Sequence, residues 1–214
     1  MMLKILPSLA SANQMKLGEE IARIRDFKHL HFDIEDGNFV ANITFGLKTI
    51  KSAMAQCGAI ICDAHLMVTK PEDYIDELIA LGFKAIAVHW EGLAYPMKLI
   101  NKVKQQGVRV GLALNPRTAI TEIVSYLPDI DYVLLMASEP DNEGELFQYR
   151  IYEKIEQLRQ VDKEITVVVD GGIKPEMLRG LEAGGVNEVV LGRCLFQGDD
   201  ISVFDSYLDK EVFK

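Results

Sequence analysis

The stretch His31-Phe32-Asp33-Ile34-Glu35-Asp36-Gly37 joins an apolar run to a turn. The run, about His29 to Ile34, reads as a strand. Side chains alternate across a strand, so His31 and Asp33 point the same way. An imidazole and a carboxylate on one face can bind one metal ion or share one proton. Asp36-Gly37 supplies a turn immediately beyond. A polar cluster at the exit of a buried strand is where parallel α/β folds keep their chemistry.

Seven further strand patterns surround this one, at Lys4 to Ser8, Ala59 to His65, Lys84 to His89, Val108 to Leu114, Asp131 to Met136, Glu164 to Asp170 and Asn187 to Leu191. Helical patterns separate and follow them. Met15, Leu17, Ile21 and Ile24 recur at helical spacing. Further helices are expected over Phe45 to Ala55, Pro71 to Gly82, Tyr95 to Gln106, Thr118 to Leu127, Tyr149 to Gln160, Pro175 to Ala183 and Ile201 to Lys210. The strands are apolar throughout, which indicates burial on both faces. Eight strand–helix units in 214 residues, with no linker or charge block between them, favour a single-domain (β/α)8 TIM barrel over an open doubly wound sheet.

Composition narrows the function. A net charge of -9 disfavours nucleic acids and anionic membranes as partners. No apolar run reaches the length of a membrane span, and Met1 to Leu6 lacks the apolar segment of a signal peptide. A cytoplasmic protein is expected. Cys57, Cys62 and Cys194 form neither a zinc pattern nor a disulfide framework.

In such a barrel every strand exit opens on one face. Here the exits carry Ser8, His31/Asp33, Asp63/His65, His89/Glu91, Asn115, Ser138, Asp170 and Gly192; the opposite ends carry few comparable groups. His31, Asp33, His65 and Asp170 make a nitrogen and oxygen donor set suited to Zn²⁺, Fe²⁺, Mn²⁺ or Co²⁺. Each could instead be an ordinary hydrogen-bonded residue at a strand end, but two His/Asp pairs on neighbouring strands weigh toward a site. Asp33 on strand two and Asp170 on strand seven lie three steps apart around the ring. They face one another across the mouth, where two carboxylates can relay a proton between the faces of a bound carbon. Gly171-Gly172 and Gly192-Arg193 follow strands seven and eight, where barrels commonly cradle phosphate.

These residues resemble the ribulose-phosphate 3-epimerases along nearly the whole chain. The motifs are Pro7-Ser8-Leu9-Ala10-Ser11-Ala12, His31-Phe32-Asp33 with Asp36-Gly37-Asn38-Phe39-Val40 and Asn42, Asp63-Ala64-His65-Leu66-Met67-Val68, Gly111-Leu112-Ala113-Leu114-Asn115-Pro116, Val133-Leu134-Leu135-Met136, and Val169-Asp170-Gly171-Gly172. The resemblance implies one divalent metal ion per subunit on His31, Asp33, His65 and Asp170, with Asp33 and Asp170 as the acid/base pair. It implies sugar contacts from Ser8 and His65, and apolar lining from Met67 and Met136. Phosphate would meet Gly171, Gly172, Gly192 and Arg193, and Gly144 of a lid over the phosphate. It further implies a phosphorylated ketose as substrate and a homo-oligomeric state.

Three positions depart from the family. Glu35 replaces a methionine; it would either change the charge beside the aspartates or turn outward, away from the His31/Asp33 face. The glycine-rich lid is here the acidic Ser138 to Glu145, with only Gly144 kept. Arg193 stands where a small hydroxyl residue is usual, and offers a bidentate phosphate contact. The chemistry read here is therefore 3-epimerisation of a ketose phosphate, ribulose 5-phosphate or a relative. The alternatives are a barrel that binds a phosphosugar without turning it over, or an isomerase or decarboxylase on the same fold. No strand exit carries the lysine two residues after an aspartate that such decarboxylases use.

Overall fold

A computed structural model describes residues 3–140, 146–198 and 200–208. The strands are β1 (Lys4–Pro7), β2 (His29–Glu35), β3 (Ile61–Met67), β4 (Ala85–His89), β5 (Arg109–Leu114), β6 (Tyr132–Met136), β7 (Thr166–Asp170) and β8 (Glu188–Leu191). All pair in parallel, in the order β1-β8-β7-β6-β5-β4-β3-β2. A single parallel bridge from Ser8 to His31 joins β1 to β2 and closes the ring at the exit end.

Between the strands run α1 (Leu17–Arg23), α2 (Leu47–Cys57), α3 (Glu72–Leu81), α4 (Pro96–Lys104), α5 (Ile151–Val161) and α6 (Leu178–Ala183); α7 (Arg193–Phe196) follows β8. α3 shows the local logic. Pro71 sets the first turn, and Glu72 and Asp73 sit where the helix dipole favours anions. Ile75 and Leu78 are buried on one face, and Gly82, in a left-handed conformation, ends the helix. The helix expected over Thr118 to Leu127 is instead two 3-10 segments, Ile120–Glu122 and Val124–Asp129, with Pro128 unable to donate to a longer ladder. The last helix is likewise a 3-10 segment, Ser202–Tyr207, and Asp209 and Lys210 lie outside the described residues.

Strand parity sets the two layers of the core. In β7, Val167 and Val169 belong to the large cluster packed beneath the helices, while Val168 belongs to the barrel interior with Leu6, Ala85, Ala87, Ala113, Tyr132, Leu134, Met136 and Val190. Asp170 shares the parity of Val168, so it too points inward. In β2, Leu30, Phe32 and Ile34 face the helices, which turns His31, Asp33 and Glu35 inward. No helix among the described residues is long and apolar enough to cross a membrane.

Candidate active site

The β2–β3 register stacks the pairs that matter: His31 lies opposite Asp63, Asp33 opposite His65, and Glu35 opposite Met67. His31, Asp33, His65 and Asp170 each place a ligand atom within 4.8 Å of all the others. Asp33 Oδ1 is the hub, 3.1 Å from His31 Nε2 and 3.1 Å from His65 Nδ1. His65 Nδ1 is also 3.4 Å from Asp170 Oδ2. Ser8 Oγ donates to Asp33 Oδ2 at 2.5 Å, beside the bridge that closes the ring. Both imidazoles are fully buried.

Each imidazole is steered from behind. His31 Nδ1 donates to Asp63 Oδ2, which aims Nε2 at the centre. His65 Nε2 lies 2.9 Å from His89 Nε2, and His89 Nδ1 lies 3.1 Å from Glu91 Oε2. Glu91 Oε1 accepts the Asn115 N–H at 2.8 Å and the Thr118 hydroxyl. This chain orients the rings: His89 donates through Nδ1 to Glu91 and accepts a hydrogen bond at Nε2 from His65 Nε2, which turns His65 Nδ1 toward the centre. Burial, reinforced by the neighbouring His65 charge, lowers the His89 pKa to about 4 against the opposing pull of Glu91, so the relay is neutral at its middle. Burial would raise Glu91, but hydrogen bonds from His89, Thr118 and Asn115 outweigh it and hold the pKa at about 2.

The two aspartates are pushed apart. Burial would raise the Asp33 pKa, yet the charge and hydrogen bond of His31, with help from His65, hold it well below the usual carboxylate range. Burial and the Asp33 charge raise Asp170, only partly offset by His65. The surroundings thus favour the ionised form at Asp33 more than at Asp170. Burial opposes protonation of His31, but Asp63 and Asp33 raise its pKa well above the ordinary value. The donor set is buried, mixed in nitrogen and oxygen, and backed by second hydrogen bonds on both imidazoles, which fits a divalent cation.

Above the cluster opens a cavity of about 1180 Å³ lined by Ser8, Asp33, Met67, Met136, Asp170, Gly171, Gly172, Gly192 and Arg193, all expected site residues. His65, in contrast, sits behind the carboxylates and is not part of the lining. Gly171 and Gly172 both have positive φ, 106° and 64°, and a side chain on Gly171 would overlap Ser138. Gly144 lies outside the described residues, as does the rest of the acidic segment beyond Pro140.

Two expectations need correction. Glu35 does not turn outward. Period-two alternation puts it on the face of His31 and Asp33, and it lines the cavity at 8% exposure. Asn42 Nδ2 donates to its Oε2 at 3.0 Å, and Asn42 also lines the cavity. Asp63 is not a strand-exit residue: β3 continues to Met67, which leaves Asp63 one layer below, beneath His31. His89 and Glu91 lie at a strand exit in the sequence, where nothing assigns them a role. The signal was their i,i+2 spacing, the same as that of the two metal-type pairs.

A sequence model described as the Ribulose-phosphate 3 epimerase family matches residues 4–196. The ribulose-phosphate 3-epimerase of Bacillus subtilis (strain 168) is 32% identical over 206 residues, spanning 93% of this chain and 94% of its own length. The ribulose-phosphate 3-epimerase named as the cytoplasmic isoform of Oryza sativa subsp. japonica is 33% identical over 215 residues, spanning 98% and 94%. Among solved structures, a chain of the tryptophan synthase complex of a hyperthermophile, Pyrococcus furiosus, superposes with a TM-score of 0.70 at 13% identity, covering 96% of this chain and 94% of its own; it shares the fold alone.

Proposed function

The chain belongs to the ribulose-phosphate 3-epimerase family, and on that premise we propose that it is a metal-dependent 3-epimerase of a phosphorylated ketose. The observation that carries this reading is the convergence of His31, Asp33, His65 and Asp170 within 4.8 Å beneath a cavity. His31 Nε2, His65 Nδ1 and the two aspartates would hold one Zn²⁺, Fe²⁺, Mn²⁺ or Co²⁺. When bound, the metal supplies Lewis-acid polarisation of the carbonyl next to C3.

The protein's own groups do the rest. Asp33 takes the C3 proton from one face and Asp170 delivers one to the other face. Microscopic reversibility exchanges their roles for the opposite epimer. Ser8 holds Asp33 in place and reaches the substrate side of the cavity. The amides around Gly171, Gly172 and Gly192, with the Arg193 guanidinium, receive the phosphate. Met67 and Met136 pack the reacting carbon with apolar atoms and exclude water.

Glu35 bears on which ketose fits. A carboxylate in the wall, paired with Asn42, favours a substrate that presents a hydroxyl there, where the family's methionine favours an apolar edge. Ribulose 5-phosphate is one member of the class; a longer or differently configured ketose phosphate suits the altered wall as well. A cytoplasmic, homo-oligomeric enzyme belongs to the same reading.

The test is deuterium incorporation at C3 from D₂O over a panel of ketose phosphates, after chelation and again with each metal added back. Exchange with one substrate, dependent on added metal, is expected. Tight binding of a ketose phosphate with no exchange under any metal would overturn the enzyme reading in favour of a binding protein.

A further inference from the structure

The barrel has a second cavity, about 400 Å³, at the end where the strands begin. That volume is at the small end of the range for small-molecule sites. Little in the sequence marks this end, because its residues arrive one per strand. The inward starts of β1, β2, β5, β6 and β8 are Lys4, His29, Arg109, Tyr132 and Glu188, and Lys84 stands just before β4.

Donors here outnumber open acceptors. Asp63, in the cavity wall, is engaged by His31. Glu188 is shared between Lys4 at 3.5 Å and Arg109 at 3.6 Å. Lys84 finds no carboxylate within salt-bridge distance among the described residues, and the His29 ring no hydrogen-bond partner. Tyr132 is the decisive group. It is 3% exposed, and its hydroxyl is buried with no hydrogen-bond partner. Its ring is accommodated because residue 111 is glycine: a side chain there would overlap the ring. The Arg109 guanidinium lies 5.1 Å over the same ring. A phenylalanine would fill this space equally well, so the hydroxyl is surplus to packing and calls for an acceptor.

We propose that this lower cavity binds a small phosphate-class anion, inorganic phosphate or the phosphate of a small monoester, held by Lys84 and Arg109 with the Tyr132 hydroxyl donating to it. The site is separate from the phosphate cradle at Gly171 and Gly172, which opens on the other end of the barrel. Burial and the Asp63 charge keep the phenol protonated and hence a donor.

The experiment is an amide NMR titration of the full chain with inorganic phosphate, repeated with glycerol 3-phosphate. Saturable shifts are expected at Lys84, Arg109 and Tyr132 and their neighbours, independent of those at Gly171, Gly172 and Gly192. Tighter binding of the ester identifies a monoester ligand; equal binding identifies the free anion. Tyr132→Phe should weaken the lower site about tenfold, the worth of one hydrogen bond to a charged group, and leave the upper site unchanged. Lys84→Met, at an exposed position, provides the same test should the tyrosine variant fold poorly. Lower-end amides that stay still while the upper ones saturate would overturn the proposal. So would unchanged lower-site affinity in the folded variants. Neither result touches the epimerase reading, which rests on the other end of the barrel.

Discussion

Asp170→Asn separates the two half-reactions of the proposed mechanism. Asparagine keeps the shape of the side chain that ends β7, so the inward valine–aspartate parity and the fold are preserved. It removes a carboxyl that burial and the Asp33 charge make easier to protonate, and with it the proposed proton donor. General acid–base catalysis contributes about 10²–10⁴ in rate, so epimerisation should fall by that factor, about 3–5 kcal/mol in barrel-bound transition-state stabilisation. Asp33 remains ionised, held by His31, His65 and Ser8. One epimer, the one whose C3–H faces Asp33, should therefore still exchange with D₂O in the variant, while the other does not. Metal content measured alongside guards against loss of a ligand: the 3.4 Å contact to His65 Nδ1 is weakened by the substitution. Epimerisation within about a factor of ten of the wild type would refute the two-carboxylate relay. Equal loss of exchange for both epimers, with metal retained, would refute the assignment of Asp33 as an independent base.

Three further outcomes follow from the geometry. Glu35→Met should shift selectivity in the ketose phosphate panel, lowering kcat/KM for the preferred substrate about 10–100-fold by removing a charged hydrogen-bond acceptor; an unchanged ranking of substrates would show that Glu35 does not touch the sugar. His89→Leu should strip His65 Nε2 of its partner and reduce metal affinity about 10–100-fold in competition with a chelator, with the change of His65 tautomer visible by ¹⁵N NMR. Unchanged affinity would mean that the His89–Glu91 chain only fills space. Lys154 is 8% exposed, donates from Nζ to the Asn115 carbonyl at 2.8 Å, and has its pKa lowered by burial to about 8. Between that value and the unfolded value near 10.5 the unfolded chain binds the extra proton, so wild-type stability should rise with pH relative to Lys154→Met, by on the order of 2 kcal/mol. Urea unfolding at pH 7.5 and pH 10 measures it, and a pH-independent difference would contradict the burial argument.

The fold was legible in local pattern because each strand carries its own apolar run and each helix its own caps. Pro71 with Glu72 and Asp73, and the valines before Asp170, can be read without knowing what they pack against. The 3-10 segments after β5 were not legible, because helical spacing of apolar residues does not report the hydrogen-bond ladder that Pro128 interrupts. The orientation of Glu35 was open to reading from alternation alone, since it shares the parity of Asp33.

The sequence by itself determined the eight units and marked His31, Asp33, His65 and Asp170 as candidate metal-type side chains, because residue type and strand parity are local properties. Only the tertiary structure decided how the strands step past one another. The β2–β3 register sets Asp63 beneath His31 rather than at the mouth, and the approach of β3 to β4 sets His89 behind His65. Barrel closure also gathers Lys4, His29, Lys84, Arg109, Tyr132 and Glu188 into one charged lower cavity. Those six come from six different parts of the chain. Spacing along a sequence carries no record of such a meeting, because it depends on shear between strands and on the closure of the ring.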